Sequence, residues 1–106
     1  MIFTAIIRPQ VSITPRFLTV DEGDRVVFRC SASGFPPPDL QWAGGPEGRI
    51  PDDVQFSKSN SVFQILNAKK AHEGDYFCVA RNDGAVGRMR TVLNVRGKLG
   101  HLIYKG

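Results

Sequence analysis

Gly74-Asp75-Tyr76-Phe77-Cys78 is the stretch that decides how this chain is read. Alternation along an extended strand places Tyr76 and Cys78 on one side and Phe77 on the other. In a two-sheet β-sandwich, one cysteine on each sheet can bridge the core, and a tryptophan on a neighbouring strand packs against the bridge. A tyrosine two residues before the second cysteine turns its hydroxyl back onto the backbone of the preceding corner. Upstream, the chain supplies Cys30 and Trp42 in the required order, each within a run of strand character. These four positions predict an all-β, two-sheet sandwich.

The flanking runs fit that architecture. Val11-Ser12-Ile13-Thr14 alternates, Pro15 interrupts, and Phe17-Leu18-Thr19-Val20 resumes. This predicts an edge strand split by a kink, since proline cannot donate to a ladder. Residues 21–24 read as a turn. Residues 25–30 read as a strand with Val26 and Phe28 inward beside Cys30, and Arg25, Val27 and Arg29 outward. Ser33-Gly34-Phe35-Pro36-Pro37-Pro38 is a proline-stiffened loop before a strand at 39–43, with Leu40 and Trp42 inward. Gly44-Gly45-Pro46-Glu47-Gly48 reads as a hairpin connection into a brief strand at Arg49-Ile50. Val54 and Phe56 mark one further strand, and Phe63 and Ile65 another, with Ala68 closing the run. A corner at 69–75 leads into a strand at 76–82. Asn82-Asp83-Gly84-Ala85 makes a tight turn. The last strand, 86–95, has Met89, Thr91, Leu93 and Val95 on one side.

A length of 106 residues allows one packed domain. It is read as residues 9–96, with 1–8 and 97–106 as tails, native or vector-derived. The net charge of +4 comes from Arg8, Arg96, Lys98 and Lys105; without those four, residues 9–95 are formally neutral. A basic total carried at the ends points away from nucleic acid as a partner. No apolar run approaches the roughly 20 residues of a membrane span. The apolar opening lacks the basic region and the cleavage site of a signal peptide.

Catalytic and metal chemistry find little support. His72 and His101 are the only candidate bases near neutral pH. No serine or cysteine nucleophile is placed against His72, which reads as a solvent-exposed corner residue. Asp21, Glu22, Asp24 and the Asp52-Asp53 pair lack the further oxygen ligands a calcium site needs, and two histidines without metal spacing do not make a zinc site. The chain has no Asn-x-Ser/Thr sequon and no phosphate-binding loop. The expectation is therefore no enzyme, no cofactor and no metal. Two cysteines allow either one disulfide or two buried thiols.

The split first strand, Gly34-Phe35-Pro36-Pro37-Pro38, the Gly-Asp-Tyr-Phe-Cys signature and Val79-Ala80-Arg81-Asn82 before Gly84 resemble the immunoglobulin superfamily, in its intermediate (I-set) class. More narrowly, Leu40-Gln41-Trp42-Ala43-Gly44-Gly45-Pro46-Glu47-Gly48-Arg49-Ile50-Pro51 resembles the immunoglobulin modules of perlecan-type basement-membrane heparan sulfate proteoglycans. The resemblance implies an immunoglobulin-like Greek-key sandwich, a Cys30–Cys78 disulfide, and Trp42 and Tyr76 as core signature residues. It implies a non-catalytic spacer and protein-interaction module of a multidomain extracellular matrix or cell-surface protein. The alternative is a cytoskeletal I-set module, similar to those of myotilin or titin, with reduced cysteines in the cytoplasm. One position departs from the pattern. Six residues before the second cysteine, where an aspartate usually pairs with an arginine, this chain has His72. Arg49 is left to pair with Asp52, Asp53 or Glu73.

The candidate interface is the outward side of the sheet that carries Cys78. Parity turns Phe77, Val79 and Arg81 outward, together with Arg88, Arg90 and Val92, joined by Gln41 and Ala43. Aromatic and aliphatic groups flanked by arginines are the composition of protein interfaces, and arginine pairs also suit sulfated glycans. Arginine stems covering Phe77 and Val79 would instead leave an ordinary solvated face. The apolar runs at 2–7 and Leu102-Ile103-Tyr104 raise dimerisation through tails or an open sheet edge.

Overall fold

The structure is a computed structural model, and it describes residues 5–97. His101 and the Leu102-Ile103-Tyr104 run lie outside the described residues, as does the start of the apolar opening.

Among the described residues, eight strands form two four-stranded sheets. In chain order they are β1 (Ile7–Thr14), β2 (Phe17–Asp21), β3 (Val26–Phe35), β4 (Asp39–Gly44), β5 (Gln55–Ser57), β6 (Val62–Ile65), β7 (Gly74–Asn82) and β8 (Ala85–Arg96). One sheet has the order β1-β3-β6-β5 and the other β2-β8-β7-β4. The break at Pro15 moves the chain from one sheet to the other: β1 runs antiparallel to β3, whereas β2 runs parallel to β8. Thr91 Oγ1 donates to the Pro15 carbonyl at 2.8 Å and Val92 N–H to the Arg16 carbonyl at 3.0 Å, which pins the crossover.

The core lies where the inward parities meet. Val26, Phe28 and Cys30 come from β3, Phe63 and Ile65 from β6, Tyr76 and Cys78 from β7, and Leu93 and Val95 from β8. Phe63 is the centre of this cluster. Its ring lies 4.8 Å from Tyr76, 5.0 Å from Trp42, 5.5 Å from Phe28 and 5.8 Å from Phe56. Leu40 and Met89 are only partly buried at its margins.

Three elements differ from the sequence expectation. β1 begins at Ile7, inside the segment read as a tail, and β3 continues to Phe35, well past Cys30. Asn82 accounts for both extensions: its amide donates to the carbonyls of Ile7 at 2.8 Å and of Pro36 at 2.9 Å. The brief strand expected at Arg49-Ile50 is absent, and a 3-10 turn spans Pro46–Gly48 instead. Gly48 N–H bonds the Gly45 carbonyl at 2.9 Å and Arg49 N–H the Pro46 carbonyl at 3.2 Å, so the backbone closes on itself rather than on a neighbouring strand. Gly45, at φ 96°, makes this turn feasible, because a Cβ there would run into the Arg49 carbonyl.

Candidate functional site

Cys30 of β3 and Cys78 of β7 are joined by a disulfide that closes a sequence separation of 48 and links the two sheets. Trp42 stands directly opposite Cys78 in the β4–β7 register. Its ring is buried, and its indole N–H donates to the Asn60 carbonyl at 2.7 Å. The polar end of the largest side chain near the bridge is thereby satisfied.

At the other end of the core, the Tyr76 hydroxyl donates to the His72 carbonyl at 2.6 Å. Burial, with Asp53 nearby, pushes the phenol well above its ordinary value, so it remains a donor. Tyr76→Phe leaves the His72 carbonyl without that donor inside the corner. The expected cost is about 1–3 kcal/mol, read as a lower midpoint in urea at an unchanged slope.

His72 is the correction to the sequence reading. It is not an exposed corner residue; it retains only 3% of its accessible surface. Its Nδ1 accepts the Lys69 N–H at 2.9 Å, which leaves the ring proton on Nε2, facing Asp53 Oδ1 at 2.8 Å. The usual aspartate–arginine polarity is thus reversed, with the carboxylate on the segment before β5 and the nitrogen base in the corner. Arg49 pairs with Asp52 at 3.1 Å, both largely exposed, and a pair of that kind adds little stability.

The hydrogen bond from His72 holds the Asp53 carboxyl below its ordinary value. A depressed carboxylate contributes stability above its unfolded-state pKa of about 4, and that contribution is lost as pH falls through the folded value. Glu73 is also held low, chiefly by the Val95 N–H and then by Lys70, so acid acts on two groups at this pole. Asp53→Asn separates them. Melting curves from pH 7 to pH 2 should show a wild-type advantage that is constant above about pH 5 and shrinks below about pH 4.

The outward side of the β2-β8-β7-β4 sheet collects the candidate interface residues. Register places Phe77 beside Arg90 and Val79 beside Arg88, with Arg81 beside Val86. The Arg88 guanidinium lies 5.6 Å from the centre of the Phe77 ring, and Arg90 reaches Asp75 at 3.4 Å. Val79 faces outward by parity yet is only 7% exposed, so the face presents guanidinium groups more than free apolar surface. Across β4 and β7 the register sets Arg81 opposite Asp39.

The acidic clusters are occupied locally: Asp21 binds Arg96 at 2.8 Å, and the Asp24 carboxylate accepts the Asp21 N–H at 3.0 Å. Sequence reasoning missed the burial of His72 and the two bonds from Asn82. For His72 a signal existed in its position, six residues before Cys78, where the immunoglobulin pattern has an aspartate that pairs with an arginine.

The disulfide-bridged sandwich, the tryptophan beside the bridge and the tyrosine corner define an immunoglobulin-type module. The family described as "Immunoglobulin domain" matches residues 8–82, and the chain belongs to it. The basement membrane-specific heparan sulfate proteoglycan core protein of Mus musculus is 37% identical over 92 residues, covering 87% of this chain and 2% of that protein. The protein sidekick homolog of Caenorhabditis elegans is 34% identical, covering 72% of this chain and 3% of its own length. The chain therefore spans only a small part of these relatives. A crystal structure of the titin M10–obscurin like 1 Ig complex superposes with a TM-score of 0.72 at 22% identity, covering 86% of this chain and 96% of that one, which shows a shared fold.

Proposed function

We propose that this chain is a non-catalytic spacer and protein-interaction module of an extracellular matrix or cell-surface protein. The observation that carries the reading is the Cys30–Cys78 bridge at the centre of the core, a bond that persists in oxidising compartments and is rare in the cytosol. The similarity to a basement-membrane proteoglycan core protein agrees with it. The cytoskeletal alternative draws on structural likeness at 22% identity, which speaks to fold alone.

Within this reading, the outward β7–β8 face is the protein-binding surface, with Phe77, Arg81, Arg88 and Arg90 as its contacts and the covered Val79 beneath them. Substituting Arg81→Glu and Arg88→Glu reverses charge at exposed positions and leaves the core intact. Immobilised wild-type module should retain protein from a solubilised basement-membrane extract, and the double variant should retain less at an unchanged melting temperature. Equal retention by both overturns the assignment of the face. No retention by either overturns the interaction role in that matrix.

A further inference from the structure

Strand β4 ends one sheet and β5 the other, and both border one margin of the sandwich. Gly45 N–H donates to the Asp75 carbonyl at 2.8 Å, which makes residues 45 and 75 a bonded pair at the end of the β4–β7 ladder. Bonded and unbonded pairs alternate in an antiparallel ladder. The backbone groups of Asp39, Gln41 and Ala43 therefore face β7, and those of Leu40 and Trp42 face away from it. The Leu40 carbonyl agrees with this phase, since it accepts the Asn60 side-chain amide at 3.2 Å from outside the sheet. The Leu40 N–H and both backbone groups of Trp42 have no strand beside them among the described residues. Arg49-Ile50, the segment expected to supply one, follows a turn that closes on its own carbonyls.

Between those two terminal strands lies a hollow of about 190 Å³, lined by Gln41, Trp42, Ile50, Phe56 and Asn60 and by no charged group. Asn60 also borders a depression of about 490 Å³ beside Leu40, and Ile50 borders one of about 260 Å³ beside Pro46 and Pro51. Through these shared residues the three form a trough along the outer edge of β4. Charges stand only in its outer parts, each time in both signs: Asp39 with Lys58 in one, Glu47 with Arg49 in the other. The central hollow is smaller than the roughly 300–1,000 Å³ of small-molecule sites and has room for a single side chain.

We propose that the outer edge of β4 takes up an extended peptide segment as an added strand, with an aliphatic side chain seated in the hollow beside Trp42. Main-chain bonds to an open edge supply affinity in this mode, and pockets for alternate side chains supply specificity. The residue opposite Trp42 exchanges both hydrogen bonds with it and turns its side chain to the same side of the sheet, into the hollow. Residues two positions away on either side follow at about 6–7 Å and face the flanking depressions. The central side chain is uncharged, because a charge there finds no partner in the lining. A second copy of this chain is the less suited occupant. Two β4 edges paired about Trp42 would set one Trp42 against the other. That ring is buried and held by the Asn60 carbonyl, so it cannot enter the partner's hollow. An edge of six residues also falls well short of the roughly 1,200 Å² that a stable interface buries. The site uses neither Arg81 nor Arg88, so it stands or falls separately from the β7–β8 face.

Trp42 is the only tryptophan of the chain, so its fluorescence reports on the hollow directly. The probe is a capped nine-residue peptide in which valine and threonine alternate about a central leucine. Methylation of the leucine nitrogen removes the donor aimed at the Trp42 carbonyl, and methylation of the adjacent threonine nitrogen removes one aimed away from the edge. The first methylated peptide should bind about tenfold or more weakly than the parent, and the second within about threefold of it. Ile50→Asp places a charge in the hollow and should weaken the parent peptide about tenfold or more, whereas Arg88→Ser with Arg90→Ser should change it less than about twofold. No fluorescence response to the parent peptide at about 1 mM overturns the proposal. So do equal losses from the two methylated peptides, or unchanged binding by Ile50→Asp. A sedimentation mass that doubles with concentration in the wild type but not in Ile50→Asp gives the edge to a second copy and overturns it too. The melting temperature of Ile50→Asp separates loss of the site from loss of the fold, and the methylated peptides leave the protein untouched.

Discussion

Phe63→Ala is expected to destabilise the domain by about 3–5 kcal/mol, measured as a lower urea midpoint at an unchanged slope. The side chain is fully buried and touches four aromatic rings from four different strands. Its removal takes away one large transfer contribution and opens a cavity between Phe28, Trp42 and Tyr76. Those neighbours are anchored elsewhere, Trp42 through Asn60 and Tyr76 through His72, so they cannot collapse inward to fill it. Phe56→Ala makes the contrast. That ring packs on the same partner but is 40% exposed, and the expected loss is about 1 kcal/mol. Similar losses at both sites would contradict the central place given to Phe63.

Removing the disulfide is the second large effect. Cross-linking across a separation of 48 residues restricts the unfolded chain by about 4 kcal/mol on the chain-entropy account. A domain of this size has about 5–15 kcal/mol in total, so the bridge is a large fraction of its stability. The Cys30→Ala/Cys78→Ala variant should melt about 15–30 °C lower than the oxidised wild type. Reduction of the wild type should give a similar shift, because both sulfurs pack as small apolar groups once the bond is broken. A shift of only a few degrees would mean that the core, and not the bridge, holds the sheets together.

The fold was legible because its decisive features are local and periodic. Parity from Cys78 and Cys30 places Tyr76, Phe28 and Val26 inward without knowledge of the partner strand. The division of the first strand follows from the single missing donor at Pro15. Where three-dimensional context decides, the reading failed. Arg49-Ile50 has strand-forming residues, but the turn before it closes onto its own carbonyls and leaves no neighbour to pair with. His72 is polar and sits in a corner, so it reads as exposed; its burial depends on Asp53, 19 residues away in sequence. The outward face was legible in its residue list but not in its cover. Parity shows that Val79 points outward, yet it cannot show that the surrounding side chains hide it.

The proposed extracellular role rests on the state of Cys30 and Cys78, and a thiol count tests it most directly. The protein is taken from its native source, alkylated at the moment of lysis under denaturing conditions, and weighed intact with and without prior reduction. Both sulfurs are expected to take label only after reduction. Label on both sulfurs without reduction would contradict the extracellular reading and direct attention to a reducing compartment and a cytoskeletal role.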